Sequence, residues 1–132
     1  MYYVQPMFRA KVVESFSAAH RLTGYQGDCE RLHGHNYRVE VTVQSDTLDS
    51  VGVVMDFRDL KNLLKLVLDE FDHQYLNDLD VFRDENPSAE NIARIIFSRL
   101  SEVIPHPVIL SEVLVWENEN CCVAYSLQGP QA

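Results

Sequence analysis

A chain of 132 residues with 46% hydrophobic content has the material for one compact domain, residues 1–132, with a real core. Twenty acidic residues against 11 basic leave a formal charge of −9, which argues against non-specific binding to nucleic acid or to an anionic membrane. An anionic small substrate would need locally placed cations, and no apolar run approaches the ~18 residues of a membrane span. The N-terminal stretch MYYVQPMFRAK lacks the basic-then-apolar layout of a secretory leader. Three cysteines cannot pair completely, so the expectation is a reduced, cytosolic protein.

Repeats, low-complexity tracts and linkers are absent from the sequence. Residues 8–20, FRAKVVESFSAAH, carry a period-2 apolar set at Phe8, Ala10, Val12, Phe16 and Ala18, interrupted only by Glu14. This predicts a strand, and His20 falls on its apolar parity. In CERLHGHNY, residues 29–37, a thiol stands four residues ahead of two histidines separated by one glycine. Residues 36–44 then alternate cleanly: Tyr37, Val39, Val41 and Val43 face one way, Arg38, Glu40, Thr42 and Gln44 the other. His33 and His35 share the apolar parity, so a strand reaching back to them turns both imidazoles toward the covered side of the sheet.

From Asp56 the period changes. Phe57, Leu60, Leu64, Val67, Leu68 and Phe71 follow helical spacing behind an Asp that can cap the first turn. A second helix is expected from Asn86-Pro87, a capping residue followed by proline in the first turn. Its stripe is Ala89, Ile92, Ala93, Ile96, Phe97, Leu100 and Ile104, ended by Pro105 and Pro107. VILSEVLVWE and CCVAYSLQ are expected as two further strands in a hairpin around Asn118-Glu119-Asn120. The order ββααββ predicts an α+β fold, an antiparallel four-stranded sheet with both helices on one face. The other face is then solvated or covered by another subunit.

The histidines carry the chemistry. Neutral imidazole is a good zinc ligand, and alternate residues of a strand set two rings on one face at a separation that can share an ion. Gly34 between them is expected to let the backbone run close to the site. His20 adds a third ring from the strand expected to pair with this one. Three imidazoles and an open position make the catalytic zinc layout, whereas Cys29 as a fourth ligand would make a closed structural site. The bland alternative is a set of hydrogen-bonded core or loop histidines. Asp72-His73 reads either as a carboxylate–imidazole relay or as a histidine favoured by a helix C-terminus. Glu117 reads most simply as a solvated turn charge, Cys121 and Cys122 as small apolar strand residues pointing to opposite faces, and His106 as an exposed loop residue.

FSAAHRL (16–22), C-x-x-x-H-G-H-N-Y (29–37), DF-x-x-LK (56–61), DHQYLND (72–78), NPSAEN (86–91) and WE (116–117) together resemble the 6-pyruvoyltetrahydropterin synthase family, in order and over almost the whole chain. The short step from Cys29 to His33 is similar to that of the bacterial branch, 6-carboxytetrahydropterin synthase of queuosine and deazapurine biosynthesis. The resemblance implies zinc held by His20, His33 and His35, with Cys29 as the proton-abstracting residue and Asp72 with His73 as the partner dyad. It implies Glu117 as the anchor of the pterin edge and 7,8-dihydroneopterin triphosphate as substrate, with release of triphosphate and acetaldehyde. A true 6-pyruvoyltetrahydropterin synthase is the alternative product class, and a non-catalytic zinc-binding assembly domain the alternative of another kind. The implied fold is a T-fold whose subunits join sheets into a barrel and stack as a homohexamer, a dimer of trimers. Ser88 and Asn118 stand where the family usually has Thr, and Ser88 keeps the hydroxyl.

Overall fold

The computed structural model describes residues 4–24 and 31–127. Two long strands form first in the chain, β1 (Phe8–His20) and β2 (His33–Ser45), paired antiparallel from Phe8↔Ser45 through to His20↔His33. β2 therefore does extend back to both histidines of HGH. Its apolar face is buried outright, with Tyr37, Val39, Val41 and Val43 all 0% exposed. Phe16 and Tyr37, partners in the register, stack at 4.7 Å between ring centroids. Burying a side chain of this kind stabilises the fold by about 1.5–3 kcal/mol each, so this one ladder carries much of the sheet's alignment.

Helix α1 (Phe57–Leu68) is capped by Asp56, whose carboxylate accepts from the Arg58 N–H. It buries Leu60, Leu64, Val67 and Leu68 against β1 and ends three residues short of the expected Phe71, which is nonetheless fully buried in the turn that follows. His73 there adopts a left-handed backbone with φ 60, and this reversal lays Gln74–Tyr75, strand β3, parallel to Ala18–Ala19 of β1. Among the described residues the sheet thus has five strands, in the order β3-β1-β2-β4-β5, where the alternation predicted four. A two-residue strand has no periodicity of its own to betray it.

Two short 3-10 turns, Leu76–Asp78 and Asp80–Phe82, set Leu76 and Phe82 into the core before helix α2 (Ala89–Ser101). The expected cap Asn86 does not cap: Ser88 does, its hydroxyl accepting from the Asn91 N–H. The helix also ends at Ser101, before Ile104. It packs on β4 (Ile109–Asn118) and β5 (Cys121–Tyr125), the hairpin expected from the sequence. Both helices cover one face. The bare face carries Arg38, Glu40 and Trp116 as a linked set, the indole N–H donating to Glu40 at 2.7 Å and the Arg38 guanidinium lying 4.8 Å from the Trp116 ring centroid. No helix among the described residues is long and apolar enough to cross a membrane.

Candidate active site

The β1–β2 register places His20 opposite His33, and the strand alternation puts His35 on the same face. Their rings meet edge to face, with centroids 4.5, 5.1 and 4.8 Å apart, and ligand-capable nitrogens of all three lie within 4.8 Å of one another. Among the described residues this is the cluster able to hold a metal ion.

The hydrogen bonds around these rings decide their tautomers. His20 Nδ1 lies 2.8 Å from the Pro87 carbonyl oxygen, and His33 Nδ1 lies 2.7 Å from the Arg31 carbonyl oxygen. A carbonyl can only accept, so both Nδ1 atoms carry the proton and donate it. The Nε2 atoms are then lone-pair acceptors, and those of His20 and His33 face each other at 2.9 Å. Two lone pairs at that distance repel unless a cation lies between them. His35 Nε2 is buried and finds no hydrogen-bond partner among the described residues. Three convergent neutral imidazole nitrogens fit zinc, whose tetrahedral ligand nitrogens sit ~3.3 Å apart at ordinary Zn–N lengths. Burial favours the neutral, metal-binding form of two of the rings, His20 and His35. It holds His20 below the usual imidazole range against the opposing Pro87 bond, and it does the same for His35 against the opposing charge of Glu117.

Tyr37 lies beneath the cluster, its hydroxyl 3.2 Å from His20 Nδ1 and its own ionisation pushed up by burial and by the Glu117 charge. At Gly34 a Cβ would come no nearer than 3.6 Å to the Ala18 carbonyl oxygen, an ordinary contact among the described residues.

Glu117 occupies the irregularity between Trp116 and Asn118 where β4 and β5 slip register. It is half-buried and lines a cleft of about 240 Å³ with His20, Ser88, Cys121 and Cys122. A carboxylate at this wall of the triad is placed unlike a solvated turn charge. Cys121 and Cys122 lie in β5 as expected and are exposed free thiols on this cleft.

Asp72 and His73 pair with each other, the carboxylate 3.0 Å from His73 Nδ1. Both are pinned to β1 at Ser17, whose N–H donates to Asp72 at 2.9 Å and whose carbonyl accepts from the His73 N–H at 2.6 Å. The Ser17 N–H, with smaller help from His73, holds Asp72 below the usual carboxylate range. The dyad thus belongs to the sheet edge and not to a helix end. His73 and His35 line a second cleft, of about 500 Å³, so the triad stands between the dyad on one side and Glu117 on the other. Cys29 lies outside the described residues. Sequence reading missed Ser17, Tyr37 and the Pro87 carbonyl, and for the last a main-chain acceptor leaves no mark on residue type.

The sequence pattern of the family described as 6-pyruvoyl tetrahydropterin synthase matches residues 9–128. The chain is 47% identical over 93 residues to the 6-carboxy-5,6,7,8-tetrahydropterin synthase of Synechocystis, covering 67% of this chain and 70% of that one. It is 37% identical over 125 residues to the human 6-pyruvoyl tetrahydrobiopterin synthase, covering 84% and 86%. Its fold matches the solved 6-pyruvoyl tetrahydropterin synthase of Caenorhabditis elegans with a TM-score of 0.84 at 31% identity, over 96% of this chain and 100% of that one. On its sequence and its T-fold architecture together, the chain belongs to the 6-pyruvoyl tetrahydropterin synthase family.

Proposed function

We propose that the chain is a zinc-dependent lyase that converts 7,8-dihydroneopterin triphosphate to 6-carboxytetrahydropterin, releasing triphosphate and acetaldehyde, in queuosine and deazapurine biosynthesis in the cytoplasm. The observation that carries the reading is the convergence of ligand-capable nitrogens from three imidazoles, of which His20 and His33 have Nδ1 committed to main-chain carbonyls and Nε2 facing the other ring. His20, His33 and His35 would hold the ion and leave it an open position. Zinc bound there supplies a Lewis acid toward the side-chain hydroxyls of the substrate.

The chain's own groups divide the remaining work. Glu117, on the wall of the smaller cleft, is suited to accept paired hydrogen bonds from the amino and ring N–H groups of a pterin. His73, its Nδ1 held by Asp72, presents an exposed imidazole to the larger cleft and can take up or return a proton there. Cys29, as thiolate, would remove a proton from the substrate side chain. The half-buried Leu114 and Trp116 and the exposed Val13 on the bare sheet face favour assembly through that face, which we assign to a homohexamer.

The carboxy product is favoured over the pyruvoyl product by the short step from Cys29 to His33. It is favoured also by the relative named for it at 47% identity, against 37% for the human pyruvoyl enzyme. Incubating the purified protein with zinc and 7,8-dihydroneopterin triphosphate, with mass analysis of the products, tests both readings. Acetaldehyde with 6-carboxytetrahydropterin supports the carboxy reaction, 6-pyruvoyltetrahydropterin the alternative, and unconverted substrate overturns the enzyme reading.

A further inference from the structure

β1 does not stop holding its shape at His20. Beyond it the main chain of Arg21 and Thr23 is bonded by two asparagine side chains in place of a partner strand. Asn77 Oδ1 accepts from the Arg21 N–H and Asn77 Nδ2 donates to the Arg21 carbonyl, each at 2.9 Å. Asn86 does the same for Thr23: Oδ1 accepts from its N–H at 2.9 Å and its hydroxyl at 3.0 Å, and Nδ2 donates to its carbonyl at 2.9 Å. The two clamps look alike, but they differ in what lies next to them. Asn86 precedes Pro87, whose carbonyl takes the His20 Nδ1 proton, and the Asn86 carbonyl is itself held by Asn91 Nδ2 at 2.8 Å from within α2.

We propose that Asn86 is a positioning residue for the metal ligand His20: by locking its own main chain to Thr23 and α2, it fixes the Pro87 carbonyl that sets the His20 tautomer and aims Nε2 at the triad. Releasing the Asn86 side chain frees the buried Pro87 peptide to move relative to β1. His20 then has the Tyr37 hydroxyl as its remaining partner at Nδ1, and a hydroxyl can donate as well as accept. The ring is no longer confined to the tautomer that leaves Nε2 free. Outer partners of this kind typically govern metal affinity by about 10–100-fold. Asn77 bonds the same stretch of chain without touching Pro87, so it separates aiming of the ring from general loosening of the strand end.

The inference rests on the triad being the metal site, and the experiment keeps the two apart. Zinc dissociation constants are measured by competition with a chromophoric chelator for wild type, Asn86→Ala and Asn77→Ala. Wild type should bind, Asn86→Ala should bind at least about 10-fold more weakly, and Asn77→Ala should stay within about 3-fold of wild type. In the metal-free proteins, nitrogen-15 NMR should show the proton on His20 Nδ1 in wild type and Asn77→Ala, and a mixture of tautomers in Asn86→Ala. Should the alanine variants fail to fold, Asn86→Asp and Asn77→Asp replace them. Each then carries one added charge and keeps only the accepting half of its clamp. Wild type that binds no zinc defeats the metal-site reading. Wild type that binds, with Asn86→Ala unchanged or with Asn77→Ala equally weakened, overturns the role of Asn86 alone.

Discussion

Replacing His33 by Ala tests the tautomer argument where it is most exposed. In the metal-free protein the His20 and His33 Nε2 lone pairs face each other at 2.9 Å, and His33 is only half-buried. Removing its ring relieves that repulsion and gives up little packing, so metal-free His33→Ala should melt at or above the temperature of metal-free wild type. Zinc should reverse the order. At free zinc 100-fold above its dissociation constant, binding to wild type adds about 2.7 kcal/mol. A domain of 132 residues has an unfolding entropy of ~0.28 kcal/mol/K, so that gain is ~10 °C in Tm. His33→Ala, with a ligand missing, should gain a small fraction of it. The assay is differential scanning calorimetry at one protein concentration, with chelator and with buffered zinc. If metal-free His33→Ala instead loses more than ~1 kcal/mol, about 4 °C, then one Nε2–H donates to the other ring and the facing-lone-pair argument is wrong.

Glu117→Gln leaves a single acceptor oxygen for the pterin edge and should weaken pterin binding by about 1.5–3 kcal/mol, roughly 10- to 150-fold; unchanged affinity in a calorimetric titration would return Glu117 to the role of a turn charge. Cys29→Ala should keep zinc and oligomer while turnover collapses by about 10²–10⁴-fold, and Cys29→Ser should also be poor; loss of zinc together with the fold would make the thiol a structural ligand instead. His73→Asn substitutes a residue that tolerates the left-handed φ of 60, so Tm should hardly move while turnover falls; a large drop in Tm would mean that the ring itself supports the sheet edge. Light scattering at micromolar concentration should report a hexamer, and a stable monomer would rule out assembly through the bare sheet face.

Much of this molecule is legible in alternation alone. The parities of His20, His33 and His35 follow from the two-residue repeat of a strand, which is a local property of the backbone and needs no knowledge of distant partners. The helical stripes that cover one face are equally local, as is the Asp56 cap. Where two local solutions tie, only the tertiary structure chooses. Asn86 and Ser88 are both good capping residues, but Thr23 claims the Asn86 side chain across the fold, so the cap passes to Ser88. The left-handed turn at His73 exists because Ser17 offers a donor and an acceptor to Asp72 and His73 from 55 residues away or more. It creates a strand too short to have a pattern. Above all, the sequence names three imidazoles but cannot say which nitrogen each one offers. For His33 and His20 that is settled by the carbonyls of Arg31 and Pro87, the latter 67 residues from His20, because a main-chain acceptor is present at every position and acquires meaning only from what the fold brings against it.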